Sequence, residues 1–374
     1  MKVALVHYWW LTNRGGEAVV AAILKIFPDA DLYLHVSDDK LIRQTLGNNF
    51  TGNIYNTKIS KLFNAKKYYQ KYLPLMPIAL EQLDLMSYDL VISSESGPAK
   101  GVITRPDAIH ICYCHSPMRY IWDMYFIYLS QAGLFVKLLF PFISHWMRVW
   151  DRVSADRVDF FIANSKFVST RINKFYRRES EVIFPPVSTD LFEYTRPRED
   201  YYLYLGQLVT YKSVDMAVKA FNKLNLPFLI IGEGEMTDKL KSLAKTNVKF
   251  LGRQPFNVVK YHLERCKALI FPGIEDFGIV PVEAMASGAP VIAYGYGGVL
   301  ETVIHRVTGI LYKNNSESDL MDAVMLLENS EVRFDSKVLH EHALNFDKKV
   351  FSAKFRAFVQ NKIIQKDVSF SVDL

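Results

Sequence analysis

A glycine and a proline within residues 271–293 mark a site that suits a phosphate. The segment reads FPGIEDFGIVPVEAMASGAPVIA. Pro281 favours the first position of a helix and Gly288 a helix end, which predicts a helix of about two turns between them. Gly278 lets the backbone approach a ligand ahead of that helix. The free amides of residues 279–283 then lie at the positive end of the helix dipole, where an anion binds.

Two carboxylates flank this phosphate site. Glu275 precedes the predicted helix, and Glu283 lies in its predicted first turn. Neither would bind the phosphate itself, but both could accept hydrogen bonds from sugar hydroxyls on either side of a diphosphate. A carboxylate in a first turn can also merely complement the helix dipole. The combination with Gly278 and Pro281 favours the ligand-binding interpretation.

A second group of candidate residues lies in the first half of the sequence. Gly15 and Gly16 separate a predicted first strand from the helical pattern EAVVAAILKIF, so their backbone could approach a phosphate. His115 follows the strand AIHICYC, and Arg119 lies in the same loop. The alternatives are an ordinary turn for the glycines, a structural histidine, and an ion pair of Arg119 with Asp123 at i,i+4 spacing.

Short apolar runs that alternate with helical patterns would position these loops. This alternation predicts parallel sheets covered by helices, with ligands bound beyond the carboxyl ends of the strands. Pro185-Pro186 marks a boundary between two domains. Strands are predicted at residues 2–7, 31–36, 89–93, 109–114, 159–163 and 182–184 of the first domain, and at 201–206, 228–231, 248–251, 268–271, 290–293 and 309–312 of the second.

The composition fits two globular domains. Of 374 residues, 50% are hydrophobic, and 45 Lys and Arg against 39 Asp and Glu give a net charge of +6. These values exclude a disordered chain, and three cysteines exclude a disulfide scaffold and favour a reducing compartment. The first residues lack a signal-peptide cleavage site. The apolar stretch 125–147 is interrupted by Gln131, Lys137, Pro141 and His145, which argues against a transmembrane helix.

The positive charge is confined to the first half of the chain. Residues 1–185 contain 22 basic and 16 acidic side chains, which accounts for the whole surplus. Lysines mix with aromatic residues at 58–80, and residues 126–150 are aromatic and apolar with basic residues nearby. Such mixtures suit the headgroup zone of an anionic membrane. The alternative is a solvated helix face beside a core helix; nucleic-acid binding is not expected, because no recognised module accompanies these residues.

Two groups of side chains resemble metal sites. His110, Cys112 and Cys114 alternate onto one face of a strand, where a buried sheet readily accommodates small thiols. Asp29 and Asp31 lie in a helix-to-strand turn, where acidic residues are common. We therefore expect neither group to bind a metal.

The sequence resembles the retaining glycosyltransferases of family 4, which have the GT-B fold. The main motif is the pair Glu275 and Glu283, with Phe-Gly between them and Glu-Ala-Met-Ala-x-Gly-x-Pro-Val at its end. Other matching motifs are Gly15-Gly16-Glu17, HSPMRYIWD, FIANS, YLGQLVTYKSVD and IIGEGE. The motifs extend over nearly the whole chain. Within the family, the sequence looks most like mannosyltransferases that build bacterial O-antigen or capsule-type polysaccharides on a polyprenyl-diphosphate lipid.

The resemblance implies a role for each matching residue of the second domain. Glu283 would hold the ribose of the nucleotide, Glu275 the hydroxyls of the donor sugar, and Lys212 the diphosphate. Gln207 stands where the family usually has Arg, which weakens the charge clamp, and Arg253 or a basic residue of the first domain is a candidate to compensate. The backbone amides that would face the sugar and diphosphate belong to Phe277, Gly278, Ile279 and Val280.

In the first domain, the resemblance implies that Gly15 and Gly16 lie near the donor diphosphate and the acceptor. His115 would contact the donor sugar near the reacting carbon, and Arg119 is a candidate to bind an acceptor phosphate. The predicted catalytic residues are His115, Lys212 and Glu275.

The predicted architecture is an α/β protein of GT-B type, with two Rossmann-like doubly wound domains. Residues 1–185 would form the acceptor- and membrane-facing domain, with a C-terminal helix at 346–374 packing back on it. Residues 186–345 would bind the nucleotide sugar.

The predicted reaction is transfer of a hexose, mannose from GDP-mannose, to a polyprenyl-diphosphate-linked saccharide with retention of configuration. Neither a metal nor a cofactor is expected. The enzyme would be cytoplasmic and peripheral on the inner face of the bacterial cytoplasmic membrane. The open alternatives are a UDP-sugar-dependent transferase of the same fold, a non-catalytic nucleotide-sugar-binding protein, and a hydrolase, whose acid/base pair sequence spacing does not reveal.

Overall fold

The computed structural model describes residues 1–371, which form two compact units. The first unit comprises Met1–Pro186 and the described residues from Phe351 onward, and the second comprises Val187–Val350. Each unit contains one parallel sheet whose strands alternate with helices. The predicted α/β class with two doubly wound domains is therefore confirmed.

Seven parallel strands form the sheet of the first unit. They are β1 (Val3–Trp10), β2 (Asp31–Ser37), β3 (Ile54–Asn56), β4 (Leu90–Glu95), β5 (Ile109–Cys114), β6 (Phe160–Ala163) and β7 (Ser180–Val182). Their order is β3-β2-β1-β4-β5-β6-β7. The order reverses between β1 and β4, and in sheets of this kind ligands bind at that reversal. The helices are α1 (Gly15–Ile26), α2 (Asp39–Leu46), α3 (Ala65–Tyr68), α4 (Met76–Glu81), α5 (Tyr125–Gln131), α6 (Leu134–Ser154) and α7 (Lys166–Tyr176).

Six parallel strands form the sheet of the second unit. They are β8 (Tyr202–Leu205), β9 (Phe228–Ile231), β10 (Val248–Gly252), β11 (Ala268–Phe271), β12 (Val291–Tyr294) and β13 (Gly309–Tyr312). Their order is β10-β9-β8-β11-β12-β13, which again reverses at the first strand of the unit. The helices are α8 (Val214–Leu224), α9 (Thr237–Leu243), α10 (Phe256–Leu263), α11 (Ile279–Ala286), α12 (Val299–Thr302), α13 (Glu317–Glu328) and α14 (Ser336–Ala343).

The last helix, α15 (Lys348–Ser371), belongs to the core of the first unit. Three of its aromatic side chains are buried there at i, i+4, i+7 spacing, which places them on one face: Phe351, Phe355 and Phe358. The helix was predicted to begin at residue 346. It begins at Lys348 because Asp347 is extended and its carboxylate accepts a hydrogen bond from the Lys349 amide (2.8 Å). Residues 372–374 of the predicted helix lie outside the described residues.

Central strands β4 and β5 are buried at every position, although both contain polar residues. A buried polar group needs a hydrogen-bond partner, so these side chains must bind one another or the backbone. Ser93 on β4, for example, lies 2.9 Å from Nε2 of His110 on β5. The polar residues of these strands therefore form specific pairs inside the sheet.

The strand predictions depart from the structure most clearly at two short strands. Strand β3 was not predicted, because it has only three residues and two of them are exposed, which gives no apolar run. The strand expected at 182–184 lies instead at β7, two residues earlier, where its pairing with β6 fixes the register. Both strands are short edge strands, for which hydrophobic periodicity is a weak signal.

Candidate active site

Helix α11 begins directly after Gly278. Gly278 has a φ of +89°, in the left-handed region that favours glycine. The helix has eight residues and is followed by Gly288, with a φ of +73°, so the predicted length and end are confirmed. The amides of its first turn have no partner within the helix. The loop between β11 and α11 therefore has the backbone geometry that anion binding requires.

The exact start of this helix was predicted wrongly. Pro281 is the third residue of α11 and not the first, so Glu283 lies in the second turn. Proline is tolerated throughout a first turn, because amides there have no intrahelical partner. The proline thus indicated the turn but did not fix its first residue.

Lys212 and Glu275 form an ion pair in the second unit. Nζ lies 2.8 Å from Oε1, and the two side chains are 18% and 21% exposed. Lys212 ends the short 3-10 helix that follows β8, and Glu275 lies between β11 and α11. Because β8 and β11 are neighbours in the sheet, their carboxyl ends bring these two loops together. The structure thus joins two residues that were predicted to be catalytic.

Two glycines absent from the sequence prediction let the loops approach each other. A Cβ at Gly273 would lie 2.7 Å from Cα of Lys212. A Cβ at Gly298 would lie 2.3 Å from the carbonyl oxygen of Asp276, and the Gly298 amide donates to the carbonyl of Glu275 (2.9 Å). The Gly-Tyr-Gly-Gly run at 295–298 was the available signal for the second glycine, but it carries no chemistry of its own.

The other predicted residues of this loop differ in exposure. Phe277 is buried, with its ring centroid 5.7 Å from that of Phe346. Ile279 and Val280 are partly exposed in the first turn of α11. The buried aromatic ring anchors the loop beside the first turn of α11.

Gln207 and Arg253 both have exposed side chains. The carbonyl of Gln207 accepts a hydrogen bond from the Tyr204 hydroxyl (2.9 Å), and the amide of Arg253 donates to Oε1 of Glu233 (3.3 Å). These contacts fix the two backbones. The side chains themselves are accessible to a ligand.

Glu283 has an unusual protonation equilibrium. Burial raises the pKa of its carboxyl from 4.5 to about 7. A carboxyl that titrates near neutral pH can donate as well as accept a hydrogen bond. Both functions suit a ligand with vicinal hydroxyls.

In the first unit, helix α1 begins at Gly15, after a short loop that follows the end of β1 at Trp10. A Cβ at Gly16 would lie 2.6 Å from the Tyr8 hydroxyl oxygen, so a larger residue would require this ring to move. Glu17 accepts a hydrogen bond from the Arg14 amide (3.1 Å) and closes the start of the helix. The glycine loop therefore lies at the point where the strand order of the sheet reverses.

His115 follows β5 and contacts β4. Its Nε2 lies 2.8 Å from Oγ of Ser94, and Ser94 Oγ lies 3.1 Å from Nδ1 of His7 on β1. Burial lowers the pKa of His115 to about 4 and that of His7 to about 3, so both rings are neutral at pH 7. A Cβ at Gly16 would lie 3.6 Å from Cε1 of His7. The predicted residues Gly16 and His115 are thus linked through two residues that the sequence did not indicate.

The loop that carries Arg119 is fixed by Arg171 of α7. Arg171 donates to both carboxylate oxygens of Asp123 (2.5 and 2.6 Å) and to Oγ of Ser116 (2.9 Å). Asp123 was the predicted alternative partner of Arg119, which is partly exposed. The contact with Arg171 was missed because 48 positions separate the two residues.

The two groups that resembled metal sites have other partners. His110 contacts Ser93, and the neighbouring Cys112 and Cys114 are buried thiols that form no disulfide. Asp31 accepts hydrogen bonds from the Tyr88 hydroxyl (2.6 Å) and the Asn53 amide (2.9 Å). Within the part of the chain that the structure describes, no group of three His, Cys, Asp or Glu residues could hold a metal ion.

Helix α6 presents an apolar face to solvent, although surface helices normally turn that face inward. The opposite face is buried and includes Met147 and Asp151. Leu134 and Phe142 are 89% and 74% exposed. Six of its exposed apolar residues recur every three or four positions: Leu134, Leu138, Phe142, Trp146, Val149 and Val153. We call these six residues the α6 stripe.

The segment from Lys58 to Glu81 consists of short helical turns with exposed lysines. Phe63 is 77% exposed among them, and Lys71 lies 4.7 Å above the ring of Tyr68. The five lysines of the segment are all exposed: Lys58, Lys61, Lys66, Lys67 and Lys71. Over residues 1–371, no helix combines the length and hydrophobicity that a membrane span requires.

Comparison with known protein families gives one match to the second unit. Residues 189–348 match the family model of glycosyl transferases group 1. The matched range contains Lys212, Glu275 and Glu283, together with helix α11.

Individual relatives agree with this match. An uncharacterized glycosyltransferase of Methanocaldococcus jannaschii is 30% identical over 208 residues, which cover 54% of this chain and 58% of that protein. The O-antigen chain mannosyltransferase RfbU of Salmonella typhimurium is 28% identical over 210 residues, which cover 49% of this chain and 58% of that protein. The chain thus spans little more than half the length of these two relatives.

Solved structures extend the likeness to the first unit. Alr3699/HepE of Anabaena, in complex with UDP-glucose, has a TM-score of 0.67 at 17% identity and covers 96% of this chain and 100% of that one. The GT-B fold class predicted from the sequence, with two Rossmann-like domains, is thereby confirmed.

Proposed function

We propose, from the match of residues 189–348 to glycosyl transferases group 1, that this protein is a glycosyltransferase. It would move a hexose from a nucleotide sugar to a saccharide on a polyprenyl diphosphate, as in the synthesis of bacterial O-antigen and lipopolysaccharide. The observation that carries the proposal is the ion pair of Lys212 with Glu275, just ahead of α11. The family match and the candidate site fall on the same loops.

The second unit would bind the donor. Lys212 supplies a compact cation for the diphosphate, and the backbone amides from Phe277 to Val280 supply hydrogen-bond donors. Glu275 then exchanges its contact with Lys212 for hydroxyls of the donor sugar. Glu283 binds the ribose, for which a carboxyl able to donate and accept is suited.

The proposed reaction retains the configuration of the anomeric carbon. The bond from this carbon to the diphosphate oxygen breaks, and the acceptor hydroxyl forms its bond on the same face. The hydroxyl proton passes to the departing diphosphate. Lys212 and the α11 amides stabilise the negative charge that develops there. Because these groups supply the positive charge, we expect activity without a divalent metal or a cofactor.

The first unit would bind the acceptor at the membrane. The α6 stripe provides an apolar surface, and the lysines of residues 58–71 contribute on the order of 1 kcal/mol each near an anionic surface. Arg119 would meet a phosphate of the lipid-linked acceptor. We propose that the enzyme works peripherally on the inner, cytoplasmic face of the bacterial cytoplasmic membrane.

GDP-mannose is the proposed donor. The similarity to the O-antigen chain mannosyltransferase of Salmonella typhimurium supports it. A UDP-sugar is the second candidate, because the Anabaena protein of the same fold binds UDP-glucose. The exposed Gln207, in place of the usual Arg, favours a third possibility, a nucleotide-sugar-binding protein without catalysis.

The test has two stages. Thermal-shift measurements with GDP-mannose, UDP-glucose and UDP-N-acetylglucosamine identify the donor. Transfer to a synthetic polyprenyl-diphosphate-linked acceptor in the presence of a chelator then tests catalysis by the wild type, Lys212→Ala and Glu275→Ala. We expect both variants to lose activity and Lys223→Ala, which removes an exposed lysine paired with Glu317, to keep it. Full activity of either site variant would contradict the assigned site, and binding without transfer would support the third possibility.

A further inference from the structure

Two side chains on neighbouring strands, His7 on β1 and Ser94 on β4, form a chain of hydrogen bonds that ends at His115 in the loop after β5. Nδ1 of His7 lies 3.1 Å from both the carbonyl oxygen and Oγ of Ser94. Ser94 Oγ lies 2.8 Å from Nε2 of His115. His7 is 1% exposed and Ser94 0%. Because water does not reach the middle of this chain, its polar atoms must satisfy one another.

The carbonyl oxygen of Ser94 determines where the proton of His7 lies. A carbonyl oxygen only accepts hydrogen bonds, so Nδ1 of His7 must be the donor. Burial keeps both histidines neutral at pH 7, so each ring carries a single proton. With Nδ1 of His7 already a donor, one acceptor is left for the hydroxyl hydrogen of Ser94 among residues 1–371. That acceptor is Nε2 of His115.

We infer that Ser94 and His7 are positioning residues that hold His115 in the tautomer protonated on Nδ1. In this tautomer Nε2 accepts the Ser94 hydrogen bond, and the Nδ1 hydrogen is available for an oxygen of the substrate. The tautomer follows from the hydrogen bonds between these neutral rings, whereas the substrate, an oxygen of the donor sugar, rests on the proposed function. His115 would therefore act as a hydrogen-bond donor and not as the base that removes the acceptor's proton.

The second nitrogen of His7 supports a functional role for this chain. His7 Nε2 is buried and has no hydrogen-bond partner within the described residues. An unpaired buried polar atom destabilises the folded state, and an apolar side chain at this position would avoid that cost. An imidazole is nevertheless present, and its other nitrogen contacts Ser94.

Strand β4 also provides a matched control. Ser93, the preceding residue, makes a buried contact of the same kind with His110 (2.9 Å). Successive side chains of a strand point to opposite faces of the sheet, so this pair lies on the other face. Ser93→Ala therefore removes a comparable hydrogen bond without touching His115.

The first experiment measures the tautomer directly. In protein labelled with 15N-histidine, long-range proton–nitrogen NMR correlations distinguish protonated from unprotonated ring nitrogens, and His115→Gln identifies the signals of His115. We expect the Nδ1-protonated form in the wild type and in Ser93→Ala, and a mixture of tautomers in Ser94→Ala. A His115 protonated on Nε2 in the wild type would overturn the inference, as would an unchanged His115 signal in Ser94→Ala.

The second experiment tests the donor role in sugar transfer. His115→Asn keeps an N–H donor close to the position of Nδ1, whereas His115→Asp presents acceptor oxygens there. We expect kcat to fall by roughly 10²-fold or more in His115→Asp and by much less in His115→Asn. Equal losses in the two variants would overturn the donor role. Absence of transfer by the wild type itself would contradict the proposed function and leave the tautomer measurement standing.

Discussion

At the scale of single residues, the ion pair of Lys212 with Glu275 substitutes for contacts with two different groups of the ligand. In the proposed complex, the diphosphate replaces Glu275 as the partner of Lys212, and the sugar hydroxyls replace Lys212 as the partner of Glu275. A nucleoside diphosphate without its sugar gains only the first of these contacts. Its diphosphate also remains close to the carboxylate of Glu275, and the two negative charges repel each other.

We therefore predict that Glu275→Gln binds the free nucleoside diphosphate more tightly than the wild type. The gain should be roughly 2- to 5-fold, the scale of a partly exposed ion pair, while turnover of the nucleotide sugar falls. Isothermal titration calorimetry with GDP and UDP measures the affinity. Glu317→Gln, which removes the partner of Lys223, is the control and should change neither quantity. Weaker binding by Glu275→Gln would contradict the exchange of partners.

Glu283 makes folding stability depend on pH. Its pKa rises from 4.5 to about 7 on folding, so the unfolded chain releases this proton first as the pH increases. The free energy of unfolding should then decrease between about pH 4.5 and pH 7, by on the order of 1–3 kcal/mol. Urea unfolding at a series of pH values measures this, and Glu283→Gln should remove that part of the slope. The exposed Glu331→Gln should leave the slope unchanged, and a slope that persists in Glu283→Gln would exclude Glu283 as its source.

At the scale of elements, the loop that carries Glu275 depends on a glycine in the next loop. A Cβ at Gly298 would collide with the Asp276 carbonyl oxygen, at 2.3 Å. We predict that Gly298→Ala shifts this loop, lowers the unfolding free energy by about 1–3 kcal/mol and weakens nucleotide-sugar binding. Thermal unfolding and calorimetry measure the two effects. Gly133→Ala is the control, because nothing lies within 4 Å of a Cβ there; normal donor binding by Gly298→Ala would show that the loop tolerates the displacement.

The α6 stripe allows a test of membrane binding. Burying a leucine or phenylalanine side chain stabilises by about 1.5–3 kcal/mol, so Leu138→Glu with Phe142→Glu should lower vesicle binding at least tenfold. Flotation with anionic vesicles measures the bound fraction. Leu300→Glu changes a similarly exposed leucine of the second unit and should have no effect. Unchanged flotation of the double variant would show that the α6 stripe does not contribute to membrane binding.

The sequence predicted the elements better than their ends and their contacts. Apolar runs such as that of β11 identified the strands, because buried parallel strands are hydrophobic on both faces. The start of α11 was misplaced because Pro281 is compatible with several positions in a first turn. The link from His7 to Ser94 joins residues 87 positions apart, and no local pattern indicates such a pair. For residues 126–150 the sequence left open a membrane-facing segment and a core helix, since a helical pattern does not reveal which face the core covers.

At the scale of the whole molecule, the charge of the chain is distributed unevenly. Residues 1–185 carry the complete surplus of +6, and they include the exposed lysines of residues 58–71. Electrostatic attraction to an anionic surface weakens with salt, because the Debye length falls from about 10 Å at 0.1 M to about 3 Å at 1 M. The apolar contribution of the α6 stripe to membrane binding is not screened by salt.

We therefore predict that salt and the α6 substitutions act on separate contributions to membrane binding. Salt weakens the electrostatic attraction, and the substitutions remove the apolar contact. Wild-type protein should bind phosphatidylglycerol vesicles at low salt and keep a reduced bound fraction at 1 M. The Leu138→Glu, Phe142→Glu variant should bind weakly at low salt and be released completely at 1 M. Vesicles of phosphatidylcholine alone should bind the wild type less than anionic vesicles do. Equal binding to both lipids at low salt would mean that the basic segment has no part in docking.

The position of α15 has a consequence for the order in which the protein is made. Phe351, Phe355 and Phe358 complete the core of the first unit, but they leave the ribosome after the whole of the second unit. The second unit is continuous in sequence and can fold while synthesis is still in progress. The unit that begins the chain keeps an open apolar surface until its final helix arrives. The apolar surface of the first unit in a nascent chain therefore needs protection while the whole of the second unit is being translated.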